Sequence, residues 1–347
     1  MNSTSPAWPD PPPKIKTNAD SIWLDDVSRM SSTKVRRLGM PHDEEDVIAL
    51  IKDATAKNCK ISCRGTKHSM GGQTLLEDCL VIDTAYLRFM EYNNNEDTIT
   101  CGPGCLWSDL IVYLDKYGRS PCVMQSYCTF SIGGTLAVNA HGITSDDCIA
   151  KSVLSMNVIL SNGEVHTTKQ GEELFSLVIG GYGLYGIVTS VTLSVSPNHN
   201  LSCDPLLLSL SNGDFERVYR SILLDPTVDV KIARFNILDG LQNAQLIVFK
   251  KKSIIPVASS TLGLEARDLS MKSKILYKWV MPALLPLRYA IEENLGQAFD
   301  MTSENDDSIT RNELMFESAV PLAKLYTKFF KSDDTFVLQE YFGESQK

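Results

Sequence analysis

The sequence predicts an α+β chain in two parts, a β-rich first part with short helices and a second part resembling one half of an α+β sandwich. Three observations lead there. Up to Pro197, short apolar strand runs alternate with amphipathic helical stretches and three glycine-bearing segments. Past residue 200 the pattern turns to alternating strands, VKIARFNIL and AQLIVFKK, near one helical stretch. The chain has 347 residues, 43% hydrophobic and 22% charged, which suits folded domains and excludes a disordered, collagenous or coiled-coil chain. A boundary is expected near 198–204.

The elements follow in order. MNSTSPAWPDPPPKIK reads as a Pro-rich disordered arm, and 1–37 as arm and lead-in. It lacks the basic-then-apolar order of a signal peptide, which points to a cytoplasmic compartment. Trp23 to Lys34 is polar and carries no clear period. PHDEEDVIALIKDATAKN crowds acids at a helix start, then sets Val47, Ile48, Leu50, Ile51 and Ala54 on one face. Strands are expected at Lys60 to Cys63, at 80–84 and at 98–104, and a helix from Leu106 to Tyr117, closed by Gly118. Gln125 to Gly142 is rich in Gly, Ser and Thr and shows no helical period. Strands at 152–160 and 164–167 flank the turn Asn162-Gly163. A short helix, a glycine-rich turn and a β-rich run then lead to Pro197. Beyond it come a strand at 206–210, a helix at 215–224, the two alternating strands, a basic and apolar stretch at 271–291, a solvated acidic loop at 305–308 and a strand at 336–342. Trp279 to Ile291 is too short to span a bilayer and contains Pro282, Pro286 and Arg288.

Charge and cysteine usage narrow the function classes. Lys and Arg total 33 against 42 Asp and Glu, a net charge of −9, so no field gathers phosphate backbones or anionic lipid. The nine cysteines form no CxxC pair, and no histidine stands at zinc-finger spacing from them. They read as small buried hydrophobes in a reducing compartment, with no metal site. His42, His166 and His199 lie near element edges and are expected to face solvent. Asp109, Asp146, Asp147 and Glu164 read as caps and turns.

Three segments carry chemistry. Cys63-Arg64-Gly65-Thr66-Lys67-His68-Ser69-Met70-Gly71-Gly72-Gln73 is a tight turn between strands, and its successive backbone N–H groups suit a pyrophosphate. It is neither GxGxxG nor a Walker loop, and an ordinary turn with a surface histidine is the alternative. SYCTFSIGGTLAVNAHG, from Ser126 to Gly142, offers backbone and hydroxyls to an extended, flat, polar ligand. Gly134 there is expected to need φ > 0 or close ligand approach. GGYGLYGIVT, from Gly180 to Thr189, lets the chain turn closely before a buried strand.

In this order and at these separations, the three segments resemble the FAD-binding domain of the vanillyl-alcohol-oxidase family, the PCMH-type fold. The resemblance covers 38–197 and extends into the start of a substrate domain at 204–347. It implies a PCMH-type two-subdomain FAD-binding domain followed by a partial α+β substrate (cap) domain. By the same resemblance, Cys63, Arg64, Gly65, Thr66, Lys67, His68 and Ser69 cradle the pyrophosphate. Ser126, Ser131, Gly134, Val138, Asn139, Ala140 and His141 line the flavin, and Ile187 meets the adenine side through its backbone. His68 falls where family members bond the flavin 8α-methyl covalently; packing beside the ring is the alternative, and Lys67 departs from the Gly or Arg common there. Cys128 is out of step with the family's second, cysteinyl link, so none is expected. His141 is expected to act through its backbone.

The motifs are nearest to alditol and aldonolactone oxidases and to cytokinin dehydrogenases. They imply an FAD-dependent oxidoreductase, oxidase or dehydrogenase, acting on a CH–OH group of a polyol or aldonolactone by hydride transfer to flavin N5. Its partners are a small-molecule substrate and an electron acceptor, O₂ or another. Cytokinin-like amine oxidation is an alternative. A third reading is a flavin-binding protein with little turnover, because family members run longer and this chain ends on what looks like a mid-domain strand. Glu340 sits on that strand, and no catalytic residue is assigned.

Overall fold

The computed structural model describes residues 22–125, 127–144, 147–235, 240–252 and 309–317. Ser126, Asp146, Glu340, the N-terminal arm and the expected features at 271–291, 305–308 and 336–342 lie outside the described residues.

The polar lead-in forms a hairpin, β1 (Ile22–Leu24) with β2 (Thr33–Val35), where the sequence showed no period. Three-residue strands are too short to display one. Burial of Val35 against Cys79 and Val81 fixes them instead. β3 (Arg37–Gly39), β5 (Leu80–Asp83) and β4 (Ile61–Arg64) make a parallel sheet in the order β3-β5-β4. Helix α1 (Glu44–Ala56) starts at Asp43, whose carboxylate accepts from the Asp46 N–H, and its acidic first turn complements the helix dipole. The helix lays Val47, Ile51 and Ala54 on Leu80 and Ile82. Burying such a Val or Ile contributes roughly 1.5–3 kcal/mol.

The second layer is antiparallel. β6 (Met90–Asn93), β7 (Thr98–Cys101), β9 (Val153–Ile159), β10 (Val165–Lys169) and β11 (Ile187–Pro197) run in the order β10-β9-β11-β7-β6, and β8 (Arg119–Pro121) pairs with the end of β11. Its core lies under α2 (Trp107–Asp115), α3 (Ile132–Ala137) and α4 (Glu173–Val178), around Trp107, Leu110, Leu114, Ile132 and Met156. As expected, Asp109 is a cap, accepting from the Leu106 N–H at 3.3 Å.

Two residues after β11, β12 (Asn200–Ser209) opens a third sheet with β13 (Val228–Phe235), β14 (Asn243–Lys251) and β15 (Ile309–Thr310), ordered β13-β14-β12-β15. Alternation along β14 sends Leu246 and Val248 beneath helix α5 (Asp214–Leu223), and Ile247 and Phe249 to the other face with Leu201 and Val230. The last described helix, α6 (Arg311–Glu317), returns to the earlier layer. Its Met315 is fully buried in the α2 core, and its Leu314 packs on the Ile247 and Phe249 cluster. His199, expected at the surface, is buried beside this junction, and its carbonyl accepts from the Arg311 N–H. His42 and His166 are exposed. Among the described residues, no helix is long and apolar enough to cross a membrane.

Candidate functional site

The first glycine segment leaves the carboxyl ends of β4 and β5, the end of a parallel sheet where ligands commonly bind. Arg64 closes β4 with its guanidinium committed to Asp83 at 2.8 Å, both side chains buried. The Thr84 hydroxyl donates to the Arg64 carbonyl at 3.2 Å. The loop then runs Gly65, Thr66, Lys67, His68, Ser69, with Lys67 in the left-handed region at φ 67°. Its exit is tied to the hairpin arm: Val27 N–H donates to the Lys67 carbonyl, and Gly72 N–H to Asp26 Oδ2 at 2.8 Å. Asp26 and Asp83 carried no sequence signal, since both act through residues distant in the chain.

The second segment contains a helix, contrary to the sequence expectation. Ser131 caps α3 by accepting the Gly134 N–H at 3.3 Å, and Ile132, Thr135 and Leu136 fill the core. Six residues with a Gly-Gly pair have poor helix propensity and show hardly two turns of period, so burial and the cap decide the outcome. Gly134 has no left-handed φ. It lies with Val138, four residues on, along the exposed face of this helix and its end. Asn139 adopts φ 47°, and its carboxamide oxygen accepts the Ala150 N–H at 3.2 Å. The Ala140 N–H reaches back to the Thr135 carbonyl, and His141, half-buried, forms an isolated bridge with Cys148.

All three segments meet. Thr66 Oγ1 accepts the Ser131 N–H at 3.2 Å, and a side chain at Gly65 would put its Cβ 2.2 Å from Ser131 Oγ. The Gly180 and Tyr182 N–H groups donate to the carbonyls of Leu136 and Ala137. A Cβ added at Gly183 would lie 4.0 Å from Cys63 Cβ, and Gly186 turns the chain at φ 145° against Val158 so that the buried Ile187 enters β11 beside Ile159. Burial with Asp83 nearby pushes the Cys63 thiol up to about 12, which keeps it neutral.

Across the loop from Ser131, His68 Nε2 lies 3.3 Å from Thr129 Oγ1. Its ring meets Phe130 edge-on, centroids 4.5 Å apart, and Phe130 stacks on Tyr127. Burial lowers the His68 pKa, partly offset by a hydrogen bond to the Thr129 main chain. Thr129 and Phe130 fall within the second segment, although its sequence pattern gave them no role of their own.

Among the described residues, none of the amide N–H groups of Gly65, Thr66, Lys67, His68 and Ser69 donates to a protein acceptor. Five consecutive open donors on a half-buried turn are the donor set a pyrophosphate needs. Beside them lies the exposed strip of Gly134 and Val138, with the exposed Tyr182 held next to it by its N–H on the Ala137 carbonyl. The residues present therefore fit a dinucleotide with a flat ring system.

Residues 36–169 match the family described as FAD binding domain. Over that segment the chain is similar to an FAD-binding domain. It is similar to cytokinin dehydrogenase 1 of Arabidopsis thaliana, 28% identical over 169 residues, which covers 45% of this chain and 29% of that protein. The mitochondrial D-lactate dehydrogenase [cytochrome] of Arabidopsis thaliana is 27% identical over 241 residues, 60% of this chain and 41% of that protein. Among solved structures, cholesterol oxidase from B. sterolicum superposes with a TM-score of 0.55 at 18% identity, covering 67% of this chain and 47% of that one. That likeness concerns the fold. The matches span well under half the length of these curated relatives.

Proposed function

We propose that this chain is an FAD-dependent oxidoreductase of the vanillyl-alcohol-oxidase type that oxidises a CH–OH carbon of a small hydroxylated substrate. The observation that carries the reading is the row of five open N–H groups from Gly65 to Ser69, with Ser131 and Gly134 beside it. In this reading the row holds the pyrophosphate and the strip from Gly134 to His141 lines the ring system, a role also assigned to Ser126, which lies outside the described residues. Arg64 contributes its backbone, because its side chain is held by Asp83. Ile187 supports the adenine end. FAD, when bound, supplies a two-electron acceptor for hydride from the substrate carbon. The domain spans 38–197, and the sheet of β12 to β15 opens a substrate domain at 204–347.

We further propose that the flavin is attached to His68. Acid-precipitated protein is expected to keep its yellow colour and to fluoresce in a denaturing gel, while His68→Ala releases the flavin. Flavin in the wild-type supernatant refutes attachment and leaves FAD binding standing.

The substrate test is anaerobic mixing with xylitol, L-gulono-1,4-lactone, D-lactate and isopentenyladenine, followed through the visible band of oxidised flavin. Bleaching by a hydroxylated compound supports the proposal. Bleaching by isopentenyladenine alone supports amine oxidation, the second reading, which the cytokinin dehydrogenase match favours. Retention of the band with all of them supports flavin binding without turnover.

A further inference from the structure

We propose that Asp26, in the loop joining β1 to β2, is a positioning residue for the row of open N–H groups: it clamps the Lys67–Gly72 turn so that the row stands ready for a diphosphate. The inference rests on the reading of that row as the pyrophosphate site. Two ties of opposite polarity join the hairpin to the two ends of the turn. The Val27 N–H donates to the Lys67 carbonyl at 2.9 Å, and the Gly72 N–H donates to Asp26 Oδ2 at 2.8 Å. Both anchored residues are left-handed, Lys67 at φ 67° and Gly72 at φ 69°. Lysine is strained there, and such backbone persists only where its surroundings hold it. Hairpin and turn also meet sterically, because a Cβ added at Gly72 would come 2.9 Å from Ser31 Cβ.

The Asp26 side chain acts through Gly72 rather than on a ligand. It is 6% exposed, and both of its oxygens are engaged by donors. Oδ1 accepts from the Ser28 N–H at 2.9 Å and from the Ser28 hydroxyl, and Oδ2 from Gly72. A carboxylate makes the stronger, charge-assisted kind of hydrogen bond to an amide. Without this clamp the turn would have to order its donors as the ligand arrives, and that entropy is subtracted from the affinity. Asp26 precedes residues 36–169, the segment matched to the FAD binding domain, so the lead-in contributes to a site built in that segment.

The test uses the full chain purified flavin-free, and the probe is ADP. ADP carries the diphosphate and, lacking the isoalloxazine ring, cannot attach to His68. Its affinity is measured by titration calorimetry in the cold, where wild type, Asp26→Ala and Asp26→Asn are checked by circular dichroism to be folded. Asp26→Ala is expected to weaken ADP about ten-fold, the low end for a hydrogen bond to a charged group. Asp26→Asn keeps an acceptor for the Gly72 N–H and is expected to lose only about three-fold. Amide exchange at 67–72 is expected to accelerate in Asp26→Ala, while β4 and β5 keep their protection. A merely structural role would lower the melting temperature and leave the affinity of the folded chain unchanged. Wild-type affinity in Asp26→Ala, or a loss that Asp26→Asn does not recover, overturns the proposal while FAD binding stands. If Asp26→Ala does not fold, Asp26→Asn decides: the three-fold loss supports the clamp and an unchanged affinity overturns it. Wild type that takes FAD but not ADP also overturns the clamp. Wild type that takes neither removes the FAD reading, and the clamp falls with it.

Discussion

Arg64 Nε donates to Asp83 Oδ2 at 2.8 Å, and each side chain is only 5% exposed. The two residues are register partners at the carboxyl ends of adjacent parallel strands, so the pair fixes the point from which the Gly65 loop departs. Replacing Asp83 by Ala strands a buried guanidinium, and the expected loss is roughly 3–5 kcal/mol. Urea unfolding measures it. The double change Arg64→Met with Asp83→Leu is expected to cost less than Asp83→Ala alone, because no charge is left unpaired.

Gly134→Val separates ligand fit from fold. A Cβ at Gly134 meets only Ser131 Oγ, at 3.0 Å, and the position is exposed on α3. The variant is therefore expected to fold with a wild-type circular dichroism spectrum but to purify without flavin, since the branched side chain occupies the strip. Full flavin content would show that this helix does not face the cofactor.

Arg311 joins the last described helix to two sheets. Its guanidinium bonds Asp229 Oδ2 at 2.7 Å, the Cys122 carbonyl at 2.9 Å, and also Ser120 Oγ and the Pro121 carbonyl. Arg311→Ala removes the donor from the Pro121 and Cys122 carbonyls and leaves Asp229 to Lys251 alone, at 3.7 Å, at an expected cost of roughly 1–3 kcal/mol. Amide hydrogen exchange should accelerate together in β8 and α6, while β4 and β5 keep their protection.

His68 gives a pH dependence with a definite sign. Burial lowers its pKa in the folded protein below the ordinary 6.5. Between the folded value and 6.5 the unfolded chain binds more protons, so stability falls as pH drops through that window and is fully present above it. Thermal melts of the flavin-free chain should show a steeper loss on acidification through that window for wild type than for His68→Asn. Parallel curves would mean that the imidazole is not desolvated.

The sequence exposed whatever has a long period. α1, α2, β12, β13 and β14 repeat their apolar residues often enough to be read, and their observed bounds differ from expectation by a few residues at most, except that β12 starts at Asn200. What escaped depends on partners far away in the chain. The β1–β2 hairpin exists because Val35 finds Cys79 and Val81, and α3 because its short apolar face closes the core of Trp107. His199 follows a strand end that usually faces water, but here the return of Arg311 covers it. In the candidate site, the glycine segments were legible as backbone-bearing turns. Asp26, Asp83 and Thr129 were not, because each acts through a residue brought near only by the fold.

The placement of Leu314 and Met315 bears on cooperativity. Neighbouring side chains on one short helix enter two separate hydrophobic cores, so α6 works as a rivet between them. Opening either core loosens the other, which favours a single unfolding transition over two. Withdrawing Met315 alone would leave a side-chain-sized void beneath α2, a defect of roughly 2–5 kcal/mol. Against the usual 5–15 kcal/mol of a whole fold, the flavin half draws a substantial part of its rigidity from residues that arrive more than a hundred positions after its own last strand.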